Sequence, residues 1–274
     1  MSKSIIPEVI EASANRRSFV RKIGIASAAI GAAATIGLKP AMAQTATDVN
    51  VLNFALNLEF LEAEFYTVAT TGKTMEANGY NVGPNAGPTT GGNIVNFSNN
   101  LVFSQAIAME IAADERAHVE LLLGALGSSA IKKPAINLAA LGFGYASLND
   151  FLKLARIFED IGVTAYAGAA PLLSTAVLGT AAKILAAEAE HVSNIRLQIA
   201  RLNVATAPAL DSVDILPPPS KANQFFSLDA NGLASVRTPG QVLYLAYGAP
   251  NVKSGGFFPM GANGYFTTSA ASPA

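Results

Sequence analysis

The sequence predicts an all-α protein: a four-helix bundle with a long crossover between its second and third helices and a largely irregular C-terminal extension. Three observations carry this. Four segments repeat apolar residues at a helical period. The chain has only two histidines, each three residues after a glutamate, in Glu115-Arg116-Ala117-His118 and Glu188-Ala189-Glu190-His191. Glu59 and Tyr66, and again Glu159 and Tyr166, lie seven residues apart, close to two helical turns. The order Glu–Tyr, Glu–His, Glu–Tyr, Glu–His is a weak internal repeat whose unit is a helix pair.

The first helix is expected from about Asp48 to Thr70. Steps of about 100° per residue put Val51, Leu52, Ala55, Glu59, Glu62 and Tyr66 on one apolar arc. Asn53, Asn57, Glu64 and Thr67 fall on the opposite, polar arc. A loop rich in Gly, Pro, Asn and Thr follows over 71–96, long enough to be either functional or poorly ordered. The second helix is expected from Asn99 to Leu126, closed by Gly127 as its C-cap. Leu101, Ala108, Ile111, Glu115, His118 and Leu122 share its inner stripe, with Glu110, Arg116 and Glu120 facing away.

Residues 128–146, with Pro134 and several glycines, read as the crossover. The third helix starts at the N-cap Ser147, with Asp150 in the capping-box position, and ends near Pro171. Glu159 and Tyr166 lie on its inner stripe. The fourth helix, about Ser174 to Asn203, turns Glu188 and His191 inward and Lys183 and Glu190 outward. Beyond Val204 helical periodicity stops, save for one short helix opening at Arg237-Thr238-Pro239-Gly240-Gln241. Phe225, Phe226, Tyr244, Tyr247, Phe257 and Phe258 make residues 204–274 too apolar for a disordered tail. Both a wrap or lid on the bundle and an oligomer contact fit it.

Residues 1–43 read as an address rather than as part of the fold. Asn15-Arg16-Arg17-Ser18-Phe19 resembles the twin-arginine export motif, an apolar stretch runs from Ile23 to Leu38, and Ala41-Met42-Ala43 is a small-x-small cleavage site. The mature chain is then expected to start at Gln44, exported to the periplasm by the twin-arginine translocase. Six basic and two acidic residues in 1–43 leave 12 basic against 17 acidic in the remainder, a net charge of −5 there. Such a chain offers no nucleic-acid surface. With no cysteine, disulfides, thiolate metal sites and cysteine nucleophiles are excluded.

The inner stripes therefore bury Glu59, Glu115, Glu159 and Glu188, with Glu62 beside them, and no lysine or arginine shares those stripes. Unpaired buried carboxylates are costly. Four of them converging with two imidazoles need cations, or else the protein loses stability or neutralises the acids; two metal ions resolve that problem. A ligand set of oxygen and nitrogen without sulfur suits iron or manganese better than copper or structural zinc.

The segment Leu58 to Tyr66, with Asp114-Glu115-Arg116-Ala117-His118 and Leu185-Ala186-Ala187-Glu188-Ala189-Glu190-His191, resembles the motifs of the ferritin-like superfamily. The branch most resembled includes plant and bacterial desiccation-related proteins. The likeness covers roughly residues 48–203, and the tail segments Arg-Thr-Pro-Gly-Gln and Gly-Gly-Phe-Phe-Pro are similar to endings in that branch. It implies that Glu59 and Glu159 each bind one metal, that Glu115 and Glu188 bridge the two, and that His118 and His191 supply nitrogen. Glu62 stands where a small residue is common. It is a seventh ligand, an acid behind the ligands, or the helix-one ligand in place of Glu59.

These readings imply an exported protein with two iron ions, or manganese as the alternative. It is expected to be an oxidoreductase that reacts with dioxygen or peroxide, or oxidises iron, in stress protection. Tyr66 and Tyr166 lie near the metals as hydrogen-bond donors or electron relays, or as plain core. Lacking a thiolate electron donor of its own, a catalytic cycle needs an external reductant. A non-catalytic metal-binding or desiccation-protective protein is the second reading, and a catalase-like di-manganese enzyme the third. The long loop and the tail of 204–274 argue against a ferritin-type cage, leaving a smaller homo-oligomer open.

Overall fold

The computed structural model describes residues 44–97, 105–206 and 208–274. The export signal expected over 1–43, and the expected helix start at Asn99 with Leu101, lie outside the described residues. Four long helices form the bundle: α1 (Ala46–Thr71), α2 (Gln105–Leu126), α3 (Leu148–Ala169) and α4 (Thr175–Arg201). A fifth, α5 (Pro239–Tyr247), lies in the tail. Packing is closest within the pairs α1–α2 and α3–α4.

Local chemistry sets the helix ends. Thr45 and Asp48 form a capping box, and Asp48 also accepts from Ser174 N at 2.8 Å, tying the start of α1 to the start of α4. Gly127, at φ 53°, closes α2 in the left-handed region. Ser147 Oγ accepts from Asp150 N and caps α3. Thr238 and Gln241 cap α5 reciprocally. No helix among the described residues is long and apolar enough to cross a membrane.

The structure corrects one expectation about α1. Asn53, Asn57, Glu64 and Thr67 are not solvated: all four are buried. The polar arc is covered by a second layer of largely non-helical chain, and at Thr67 by Arg116 of α2. Asn53 bridges Ser129 O and Ile131 N. Asn57 pairs with both backbone groups of Asn263 in the tail. Thr67 accepts from Arg116, whose guanidinium also sits over the Tyr80 ring. Glu64 takes Met75 N and the ammonium of the fully buried Lys133. A side-chain periodicity separates polar from apolar, but a polar arc can face chain that offers donors as readily as it faces water.

The 71–96 loop is ordered against the crossover. Strands β1 (Thr89–Thr90) and β2 (Ile136–Asn137) pair in parallel, and Gly87 N donates to Lys133 O. A Cβ at Gly87 would come within 2.5 Å of Ala135 N, so the approach requires glycine. Residues 208–237 are strapped to α3 and α4 by buried arginines. Arg196 reaches Ile215 O, Phe225 O and Asp160, Arg156 pairs with Asp214, and Arg237 grips Asp211 and Thr164. Further on, Phe257 packs edge-on against Phe158 at 5.0 Å. Phe225 and Phe226, whose apolarity suggests packing, are exposed.

Lys133 holds three segments together: Glu64 of α1, Glu76 and Thr89 of the loop, and the crossover itself. Lys133→Met is expected to cost about 3–5 kcal/mol, because it strands a buried carboxylate. Adding Glu64→Gln should recover most of that. Chemical denaturation of the two variants measures both, and a single-variant loss under about 1 kcal/mol would show that the loop is held otherwise.

Candidate metal centre

Each bundle helix delivers acid to one place. α1 contributes Glu59 and Glu62, α2 Glu115 and His118, α3 Glu159, and α4 Glu188 and His191. All five glutamates are buried, and both histidines are nearly so. Ligand atoms of Glu59, Glu115, His118 and Glu188 lie within 4.8 Å of one another, as do those of Glu115, Glu159, Glu188 and His191. Glu115 and Glu188 belong to both groups, which makes two adjoining positions that could each hold a metal ion. Glu62 belongs to neither.

Both rings turn Nδ1 inward. His118 Nδ1 lies 3.2 Å from Glu59, 3.4 Å from Glu115 and 3.5 Å from Glu188. His191 Nδ1 lies 3.0 Å from Glu115 and 3.3 Å from Glu159. Yet both oxygens of Glu115, both of Glu188, one of Glu159 and Nδ1 of His191 are buried without an aligned hydrogen bond. Atoms so close and so poorly paired suit a shared cation. Among the described residues the buried basic side chains do not serve instead, since Lys133, Arg156, Arg196 and Arg237 are each committed to acids elsewhere.

Electrostatics express the same conflict. Burial pushes Glu59 up to about 7, against the pull of His118. Burial first, and then the neighbouring carboxylates, raise Glu62 and Glu188 well above the ordinary range. Burial also raises Glu159. At Glu115 burial is outweighed by the two imidazoles, which hold it down at about 2. Burial opposes charging of His118 and His191, but the surrounding carboxylates win and raise both.

The tyrosines cross the repeat. Tyr66 donates to Glu159 and Tyr166 donates to Glu59, so each phenol supports the glutamate of the other half rather than the one on its own helix. Burial and adjacent acid raise both phenols, keeping them protonated donors.

Two departures from symmetry are visible in the repeat once its halves are aligned. Position 162 corresponds to 62, and Gly162 faces Glu62: a Cβ there would lie 2.8 Å from Glu188 Oε2 and 3.3 Å from Glu62 Oε1. The glycine makes the space that the extra carboxylate occupies. Position 187 corresponds to 114. Asp114 lies 3.2 Å from His191 Nε2 and orients that ring, a role absent from the sequence reading. Ala187 provides no such support to His118.

A four-helix bundle with paired Glu and His groups on facing helices is the architecture of dinuclear carboxylate proteins. The ferritin-like domain family matches residues 47–201, more than half of the chain, and the chain belongs to that family. No curated protein matches it.

The raised groups give a pH dependence with a definite sign. Glu59, Glu62, Glu159, Glu188 and both histidines hold protons more tightly in the folded metal-free chain than when unfolded. Their stabilisation is complete below the unfolded values and is lost as pH rises through the folded ones. For Glu59 that window runs from 4.5 to about 7; the lowered Glu115 acts only below 4.5. The melting temperature of metal-free protein should therefore fall from about pH 5 to pH 8, and manganous ion should restore it most at pH 8. A flat profile indifferent to metal would contradict this electrostatic account.

Proposed function

We propose that the chain holds a dinuclear iron centre, with manganese as the alternative, and acts as an exported oxidoreductase that reduces dioxygen or peroxide or oxidises iron in stress protection. The observation that carries this is the set of buried, unpaired oxygen and nitrogen donors shared between two adjoining positions. Glu59 and His118 would hold one ion, Glu159 and His191 the other, with Glu115 and Glu188 between them. Bound there, the metals supply the one-electron changes that reduction of dioxygen or peroxide needs. The protein's own part is orientation and exclusion of water. Tyr66 and Tyr166 fix the two outer glutamates by donating a hydrogen bond to each, Asp114 sets the His191 ring, and the loop and tail layers close the bundle around the acids. An external reductant completes any catalytic cycle.

Anaerobic ferrous loading of the mature chain, followed by metal analysis and oxygen uptake, tests the reading. About two metals per chain are expected. Glu115→Ala should remove at least one, and Glu59→Gln should weaken one position. Glu62→Gln should keep both metals but change the rate of oxygen uptake. Glu64→Gln should keep both and lose only stability, because its partner is Lys133. Well under one metal per chain in the wild type would remove the basis of the proposal.

Export is proposed from residues 1–43 alone. Lysine at both Arg16 and Arg17 should leave unprocessed precursor in the cytoplasm. Arrival of that variant in the periplasm would show the address to be misread.

A further inference from the structure

Between α1, α3 and the tail lies a cavity of about 60 Å³. Its walls are hydrocarbon: Leu58 and Leu61 of α1, Phe158 and Ile161 of α3, Leu245 of α5, and Phe257 beyond it. Glu62 is the single charged residue on the wall, and Gly162 lies there with it. These two also border the candidate metal centre, since a Cβ on Gly162 would meet Glu188 Oε2. The cavity therefore abuts the acids on the α1–α3 side, away from the two histidines, which come from α2 and α4. Much of its outer wall (Leu210, Val242, Leu245, Ala246 and Phe257) comes from chain beyond residue 201, where the family match ends.

We propose that this cavity is the pocket from which dioxygen reaches the dinuclear centre, with Glu62 and Gly162 at its inner end. The inference rests on the metal reading above and selects the oxidant. Dioxygen is apolar and needs no hydrogen-bond partner, so a hydrocarbon wall holds it at no desolvation cost. Hydrogen peroxide has two donors and four acceptor lone pairs, and this wall offers it only Glu62. The space is smaller than the apolar cavities of roughly 150 Å³ that accept benzene, which suits a diatomic gas better than an organic co-substrate. The tail acquires a function in this account: it builds the outer wall of a gas pocket on a bundle that would otherwise open there.

Xenon, an apolar atom suited to such a space, is the probe. Crystals of the metal-loaded mature chain under xenon pressure should show it between Ile161, Leu245 and Phe257. Ile161→Trp on α3 and Leu245→Trp on α5 fill the cavity from opposite walls. Both residues are half-buried, so the larger ring can lean outward, and Ile161→Phe serves if either variant loses metal. Filling should abolish xenon binding, keep both metals, and raise the KM for dioxygen in ferrous oxidation by about ten-fold or more. Oxidation by hydrogen peroxide should change less than about two-fold. Two bound metals with no xenon in the wild type would overturn the pocket. So would filled variants that keep the original KM for dioxygen, or that slow peroxide as much. A wild type without metal is a different failure, seen by metal analysis, and sinks the reading on which the pocket rests.

Discussion

Five glutamates converge with two imidazoles at one place in this bundle, while the buried Lys133, Arg156, Arg196 and Arg237 are paired with other acids, and that imbalance governs the rest of the structure. A bundle of this size has ample apolar material for a core, so such a concentration of acid is not required by packing. Without cations the chain must protonate its acids or charge its histidines, and the raised values of Glu59, Glu62, Glu159, Glu188, His118 and His191 describe that compromise. With two cations the same atoms become ligands. The phenols of Tyr66 and Tyr166 fit both conditions, since a protonated donor supports an ionised carboxylate in either.

The outer layers protect this arrangement from water. α1 is buried on nearly every side, and its polar outer arc binds the 71–96 loop, the crossover and the tail through Asn53, Asn57 and Glu64, while Thr67 takes Arg116 of α2. Low dielectric around the acids depends on those layers staying closed, which assigns a physical role to Lys133 and to the arginines that strap the tail.

How much of this is legible in the sequence differs from element to element. The four helices, the cap at Ser147, the stop at Gly127 and the short helix near Thr238 follow from period and spacing, because each is a local property; the convergence of the glutamates and histidines follows from their shared inner stripes. The burial of Glu64 does not, since its partner Lys133 lies 69 residues away in a segment without periodicity. The crossed pairing of Tyr66 with Glu159 also escapes a single helical wheel: on one helix Tyr66 stacks over Glu59, and only the packing of α1 against α3 exchanges them. Gly162 and Asp114 sit between these cases. Aligning the two halves of the repeat marks both positions as unequal to their counterparts, but only the three-dimensional structure shows that one makes room for Glu62 and the other steadies His191. The exposure of Phe225 and Phe226 has no local signal at all.

Anomalous diffraction from crystals of the protein, loaded anaerobically with manganous ion, tests the central claim most directly. The account predicts two peaks inside the bundle. One should lie among Glu59, Glu115, His118 and Glu188, the other among Glu115, Glu159, Glu188 and His191. Peaks only at the protein surface, or none with the acids hydrogen-bonded among themselves, would contradict it.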